Sequence, residues 1–150
     1  MKRSGQCSLV IAAGFLGAAL AWTPAAAQQA NVQGLVVNLG ITTAAVALRD
    51  GGHRDSHPTN PPSGSQHLLI TLDDEKSGKR ISDAEVTIDV TDPRGHVEKK
   101  PLLHTTGGGL PDYSELFVFG WSGEYLIRVI ITTRPGAKPV ETRFKVHHVI

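Results

Sequence analysis

Hydrophobic and polar positions alternate along this chain from Leu68 onward, and no stretch of ten or more residues carries a helical stripe. Segment 84–91 is the clearest case. One face of it would carry Ala84, Val86, Ile88 and Val90, and the other Glu85, Thr87, Asp89 and Thr91. Such alternation is typical of a strand with one face in a core and the other in water. The chain is therefore predicted to be all-β.

Further strands are predicted from the same pattern and from the turn residues between them. They cover 35–39, 67–73, 97–104, 113–119, 125–131 and 140–148, with 44–48 continuing the first after a kink. Leu126 and Ile130 make both faces of 125–131 apolar, which favours a central position in a sheet. About seven short strands at a spacing of roughly 8–12 residues predict an immunoglobulin-like two-sheet sandwich.

The N-terminal residues 1–27 have the pattern of a secretory signal peptide. A basic start is followed by an apolar run at 9–22 and by a small-residue site at 25–27, cut ahead of Gln28. The apolar run is too short for a comfortable membrane span. We therefore expect a periplasmic or secreted protein, not inserted in the membrane after cleavage, whose single domain covers 28–150.

Composition narrows the chemistry that such a mature chain could perform. Cleavage removes Cys7 and Met1, the only cysteine and the only methionine, and leaves slightly more acidic than basic side chains. Disulfides, thiol catalysis and thiolate metal sites are excluded. No basic surface for nucleic acid is expected either.

Enzyme motifs are missing from the sequence. The run Gly120-Trp121-Ser122-Gly123 has the wrong spacing for a nucleophile elbow, and the glycines at 107–109 open no helix that could bind phosphate. The acidic run at 73–75 leads into a turn, where nothing apolar would raise a carboxyl pKa for acid catalysis. The chain is predicted not to be an enzyme.

Histidine is the chemical signal that remains. Residues 50–66 form a long segment without periodicity, and a loop of this length is either functional or disordered. It contains His53 and His57, and His67 follows it at the start of a strand. These three imidazoles are the predicted ligands of a divalent metal, Cu(II), Zn(II) or Ni(II). The alternative is that His53 and His57 are solvated and that His67 has a backbone partner at a sheet edge.

The other histidines and Trp121 give weaker signals. His96 and His104 are predicted to be solvated, and His147 and His148 to point to opposite faces of the last strand. Trp121 lies between two predicted strands and is the aromatic residue most expected to be partly exposed. It is therefore the candidate partner-binding residue.

Two stretches resemble a known group of exported domains. The first is Gly78-Lys79-Arg80-Ile81-Ser82-Asp83-Ala84-Glu85-Val86, and the second is Gly123-Glu124-Tyr125-Leu126-Ile127-Arg128-Val129. Together they resemble the strands of small immunoglobulin-like sandwiches, among them the YtkA-like and FixH-like periplasmic domains, over residues 67–148. The resemblance implies a β-sandwich fold and, for some relatives, copper or other cation handling by a histidine- and methionine-rich loop. In the corresponding region this chain has His57-Pro58 and His67 and no methionine.

The sequence thus favours a non-catalytic periplasmic module that binds a divalent metal weakly through His53, His57 and His67. The alternative is a protein–protein interaction module of the cell envelope without a metal. Its sheet edge or its Trp121 loop would dock the partner.

Overall fold

The computed structural model describes residues 26–49, 58, 60–106 and 111–150, and this part of the chain is almost entirely β-structure. Its elements are β1 (Ala26–Val32), β2 (Leu35–Thr43), α1 (Ala44–Arg49), β3 (Ser65–Asp74), β4 (Glu85–Thr91), β5 (Val97–Pro101), β6 (Leu103–Thr105), β7 (Asp112–Val118), β8 (Gly123–Thr132) and β9 (Val140–His148). The predicted all-β class is confirmed.

The strands form two antiparallel sheets. Sheet 1 has the order β1-β2-β3-β7-β6, and sheet 2 has the order β5-β4-β8-β9. Apolar side chains from the inner faces of both sheets form one core, and those of Val37, Ile70 and Phe117 in sheet 1 and of Ile88 and Ile127 in sheet 2 are fully buried. The predicted two-sheet sandwich is therefore confirmed.

Strands β4 and β8 show the predicted alternation. Val86, Ile88 and Val90 are buried on β4, and β8 lies between β4 and β9 as its two apolar faces indicated. Asp89 differs from the expectation, because it is on the water-facing side of β4 and yet is only 6% exposed. Arg128 of β8 covers it and donates hydrogen bonds to its carboxylate.

The N-terminal elements depart from the sequence prediction. Residues 44–49 form a helix instead of continuing the first strand, because alanine, leucine and arginine favour helix and Ala44 and Ala47 become buried. Strand β1 was not predicted, and it begins at Ala26, ahead of the predicted cleavage site. The predicted signal peptide otherwise lies outside the described residues.

The segment predicted as one strand, 97–104, belongs to both sheets. The chain pairs with β4 up to Pro101 and with β7 from Leu103. At the crossing, the Leu102 amide donates a 2.8 Å hydrogen bond to the Val86 carbonyl, and the Leu102 side chain enters the core. One side of the sandwich is therefore closed by continuous chain.

The opposite side is closed by contact between β1 and β9. The Gln28 side-chain amide donates a 2.7 Å hydrogen bond to the Lys145 carbonyl.

Within the described residues, no helix combines the length and the apolar character needed to cross a bilayer.

Candidate functional site

Most of the predicted functional residues in the described part of the chain lie at one end of the sandwich, which we call the histidine end. Strands β2, β4, β7 and β9 finish there, and β3, β5 and β8 begin there. It is formed by α1, the turn 92–96, the loop 119–122 and the tail 149–150. The predicted metal-binding segment enters β3 at this end.

His67 is buried in sheet 1. It lies on β3 between Thr42 of β2 and Leu116 of β7, and only 2% of its surface is exposed. The alternative position at a sheet edge is therefore wrong, since β3 is the middle strand of its sheet. The imidazole lies on the outer face of sheet 1, where α1 contacts β2 and β3. Because β3 pairs with β2 on one side and β7 on the other, the backbone of His67 is held in place from both sides.

Ser65 lies on the same face of β3, two residues before His67. It is 6% exposed, and within the described part of the chain its Oγ is buried without a hydrogen-bond partner. A buried hydroxyl without a partner is costly, and such atoms mark the places where an ordered water or a bound ligand is accommodated. Alternation from His67 would have identified Ser65 in the sequence, because residues two apart share a face.

The outer face of sheet 1 buries further polar side chains beyond His67. Ser114 pairs with Leu69, and Thr105 pairs with Asp112 and donates a hydrogen bond to its carboxylate. The side chains buried on the outer face of sheet 1 are therefore partly polar, whereas those buried between the two sheets are apolar.

A shallow depression lies beside His67 on the same face. It has a volume of about 360 Å³ and opens over Gly40, next to Ala27, Gln29 and Leu69. Gly40 pairs with Leu69, two positions along the strands from the Thr42 and His67 pair. Because its lining offers no imidazole or carboxylate, the depression does not itself supply metal ligands.

The remaining described histidines do not join His67. His96, His104 and His147 are exposed, as predicted for the first two, and the His148 ring stands edge-on to Phe119 at 5.4 Å between centroids. No group of three histidine, cysteine, aspartate or glutamate side chains among the described residues could hold a metal ion. His53 and His57 lie outside the described residues, so the predicted three-histidine site stays a prediction.

Trp121 is exposed at the histidine end, with 44% of its surface accessible. The Arg94 guanidinium stacks on its ring at 3.2 Å from the centroid. The Tyr125 hydroxyl accepts a hydrogen bond from the Trp121 amide at 3.1 Å and donates one to the Trp121 carbonyl at 3.0 Å. The loop therefore holds its exposed indole in a defined position. No sequence pattern indicated a role for Arg94.

No family model matches the chain, and no curated protein matches its sequence. Its fold is similar to solved structures of low sequence identity. A DUF4426 family protein from Pseudomonas aeruginosa PAO1 superposes with a TM-score of 0.62 at 13% identity, over 81% of this chain and 96% of that one. FetP from uropathogenic Escherichia coli strain F11 gives 0.60 at 10% identity, over 81% and 93%.

A third similar structure contains copper. It is the copper-reconstituted P19 protein from Campylobacter jejuni, with a TM-score of 0.60 at 10% identity, over 81% of this chain and 92% of that one. Such identities show a shared β-sandwich fold. The resemblance to the YtkA-like and FixH-like domains stays a prediction.

Proposed function

We propose that this chain is a non-catalytic, exported module that binds a divalent transition metal, with Cu(II) the first candidate, through His53, His57 and His67. The observation that carries the proposal is the burial of His67 beside the unpartnered Ser65 hydroxyl at the end where the histidine-containing segment meets β3. The likeness in fold to copper-reconstituted P19 and to a copper-bound FetP variant supports the choice of metal.

The donor chemistry of the chain fits a divalent ion. Imidazole nitrogen suits Cu(II), Zn(II) and Ni(II), whereas Cu(I) prefers thiolate and thioether sulfur. Beyond the predicted cleavage site the chain has neither cysteine nor methionine. His67 would supply an imidazole from a rigid strand, and His53 and His57 would supply theirs from the preceding segment. The Ser65 hydroxyl would form a hydrogen bond with a water molecule in the site.

Metal binding is tested by calorimetry and thermal melts with Cu(II), Zn(II) and Ni(II). A metal that binds only the folded chain stabilises it by about 2.7 kcal/mol at a free concentration one hundred times its Kd. We expect the strongest stabilisation with Cu(II), a large loss in His67→Ala, and a complete loss in the His53→Ala, His57→Ala, His67→Ala triple variant. His104→Ala is the matched control, because His104 is exposed and lies away from the histidine end.

The pH dependence provides a second readout of the same site. Only neutral imidazole binds a metal, so affinity should fall as the pH drops through about 6.5, the ordinary imidazole pKa. Equal metal response of the parent protein and the triple variant at every pH would remove this proposal.

Export is tested separately by intact mass. Protein recovered from the cell envelope should begin at Gln28 if the signal peptide is removed where the sequence indicates. A recovered chain that still begins at Met1 would contradict export with cleavage.

The second candidate function is an interaction module of the cell envelope without a metal. The exposed indole of Trp121, held in place by Tyr125 and Arg94, favours it. An unchanged thermal melt with every metal would leave this candidate as the better explanation of the chain.

A further inference from the structure

Exposed hydrophobic side chains are concentrated at the histidine end. Seven large hydrophobic residues are exposed in the described part of the chain, and six of them lie at this end. They are Val46, Val97, Val118, Trp121, Val149 and Ile150, and the seventh, Leu103, lies on β6. Scattered exposed hydrophobic residues are ordinary, but several at one end of a small domain mark an interaction surface.

Trp121 and the C-terminal residues form the centre of this surface. The Ile150 amide donates a 3.0 Å hydrogen bond to Ser122 Oγ, which places Val149 and Ile150 beside the Trp121 loop. Val149 is 70% exposed and Ile150 is 78% exposed. Their side chains and the indole are therefore available to a partner.

Arg94 is fixed at the same place by its turn. Oδ1 of Asp92 accepts hydrogen bonds from the Arg94 and His96 amides, both at 2.9 Å. The adjacent Pro93 packs closely on Gly123. A Cβ atom added to Gly123 would lie 2.8 Å from Pro93 Cγ. The turn 92–96 and the Trp121 loop therefore pack against each other. The Arg94 guanidinium is thus already in position in the free protein.

The Arg94 guanidinium has no carboxylate partner among the described residues. Two other arginines in this part of the chain are paired, Arg80 with Asp73 and Arg128 with Asp89. Stacking on Trp121 uses the face of the guanidinium and leaves its N–H edge for hydrogen bonds. A planar N–H edge matches a carboxylate, which it binds through two parallel hydrogen bonds.

We propose that the surface formed by Arg94, Trp121, Val149 and Ile150 docks an acidic, apolar segment of a partner protein. The partner's carboxylate would bind Arg94, and its neighbouring apolar side chain would pack on Trp121 and the C-terminal residues. This inference rests on the described surface alone and does not depend on metal binding.

An anionic membrane fits the surface less well than an acidic peptide. Attraction to anionic lipid contributes about 1 kcal/mol per basic residue and needs a cluster of about four to eight of them. The elements that form this end contain two arginines, Arg49 and Arg94, and the acidic Asp92, while Lys145 of β9 is paired with Glu124 at 3.1 Å. A single oriented guanidinium on an indole is suited to one carboxylate.

The test uses two fluorescein-labelled peptides of equal length, one alternating leucine with aspartate and one alternating leucine with lysine. Fluorescence anisotropy should show saturable binding of the acidic peptide and none of the basic peptide. Arg94→Gln should weaken binding at least about tenfold, because the carboxylate loses the charged, bidentate donor. Trp121→Ala should weaken it similarly, because the apolar contact and the support of Arg94 are both removed.

Arg143→Gln is the matched control, since Arg143 is exposed on the outer face of sheet 2. It should bind the acidic peptide like the parent protein. Thermal melts of each variant check folding, and the Cu(II) response of Arg94→Gln should equal that of the parent, which separates this test from the metal test.

Three results would overturn the proposal. They are equal binding of both peptides, equal binding of the acidic peptide by the parent and Arg94→Gln, and binding to phosphatidylglycerol vesicles without binding to the acidic peptide. The last result would identify a membrane surface as the ligand.

Discussion

Arg128 on β8 lies directly opposite Asp89 on β4, and its Nε and Nη2 atoms both donate hydrogen bonds to Asp89 Oδ2. The carboxylate is buried on the outer face of sheet 2, and the Arg128 side chain covers it. The hydrogen bond that Arg128 donates to Asp89 raises the pKa of Arg128. The sheet face that the alternation predicts to be in water therefore contains a buried carboxylate, paired with a partly exposed arginine.

The first prediction concerns this pair. Arg128→Ala should lower the urea midpoint of unfolding, because Asp89 is then a buried charge without its main partner. Arg143→Ala is the control: Arg143 is the cross-strand neighbour of Arg128 and is exposed. The double variant Arg128→Ala, Asp89→Asn should recover part of the loss. Equal midpoints for Arg128→Ala and Arg143→Ala would show that the pair does not stabilise the sheet.

The second prediction concerns the core. Ile88 and Ile127 are fully buried, so truncating either to alanine should lower the free energy of unfolding by about 2–4 kcal/mol. Glu85→Ala should change it by less than about 0.5 kcal/mol, since Glu85 is exposed. Urea denaturation followed by circular dichroism measures both. Similar losses in all three variants would contradict the register described for β4 and β8.

The third prediction concerns Tyr113. Its ring is buried, and its hydroxyl accepts a hydrogen bond from the Ala84 amide at 3.0 Å and donates one to the Ile81 carbonyl at 3.2 Å. Tyr113→Phe leaves both backbone groups without this partner and should cost about 1–3 kcal/mol near neutral pH.

This cost should depend on pH. Burial raises the pKa of Tyr113 above the ordinary value of 10.0, so the folded chain retains a proton that the unfolded chain releases above that pH. The stabilisation is therefore complete below pH 10 and declines as the pH rises through the folded pKa. Urea unfolding between pH 8 and pH 11 should show the difference between parent and Tyr113→Phe shrinking at the alkaline end. A constant difference would mean that Tyr113 titrates as it does in the unfolded chain.

The fourth prediction concerns Gly123, which begins β8 with a φ of +140°. Alanine there is strained by about 1–3 kcal/mol through its backbone and would also displace Pro93. Gly136→Ala is the matched control, because Gly136 has a φ of +77° with open space around it. Urea unfolding should show the larger loss for Gly123→Ala. Equal losses in stability would show that the turn containing Pro93 moves aside without a measurable cost.

The sequence predicts those strands whose pattern is local in the chain, and it misses the elements that depend on pairing or are very short. Alternation identified β4 and β8 correctly because their apolar faces are continuous along the sequence. Strand β1 was missed since residues 28–31 are mostly polar and extend only by pairing with β2. The short helix α1 was missed because a run of six residues is too short to show a helical period.

The candidate site was predictable only in part. The sequence identified His67 and the partly exposed Trp121, but it did not show that His67 is held in a central strand. Strand order depends on pairing between distant segments, and no local pattern records it. The contact of Arg94 with Trp121 joins a turn to a separate loop, so only the three-dimensional structure shows it.

The crossing of the chain at Leu102 has a consequence for how the domain opens. β5 and β6 are consecutive parts of one segment. The two sheets therefore cannot separate on that side without breaking the hydrogen bond from the Leu102 amide to the Val86 carbonyl. Local opening of a single sheet is therefore suppressed there, and both layers should come apart in one cooperative event. The Leu102 amide should exchange its hydrogen with solvent about as slowly as the amides at the centre of β8.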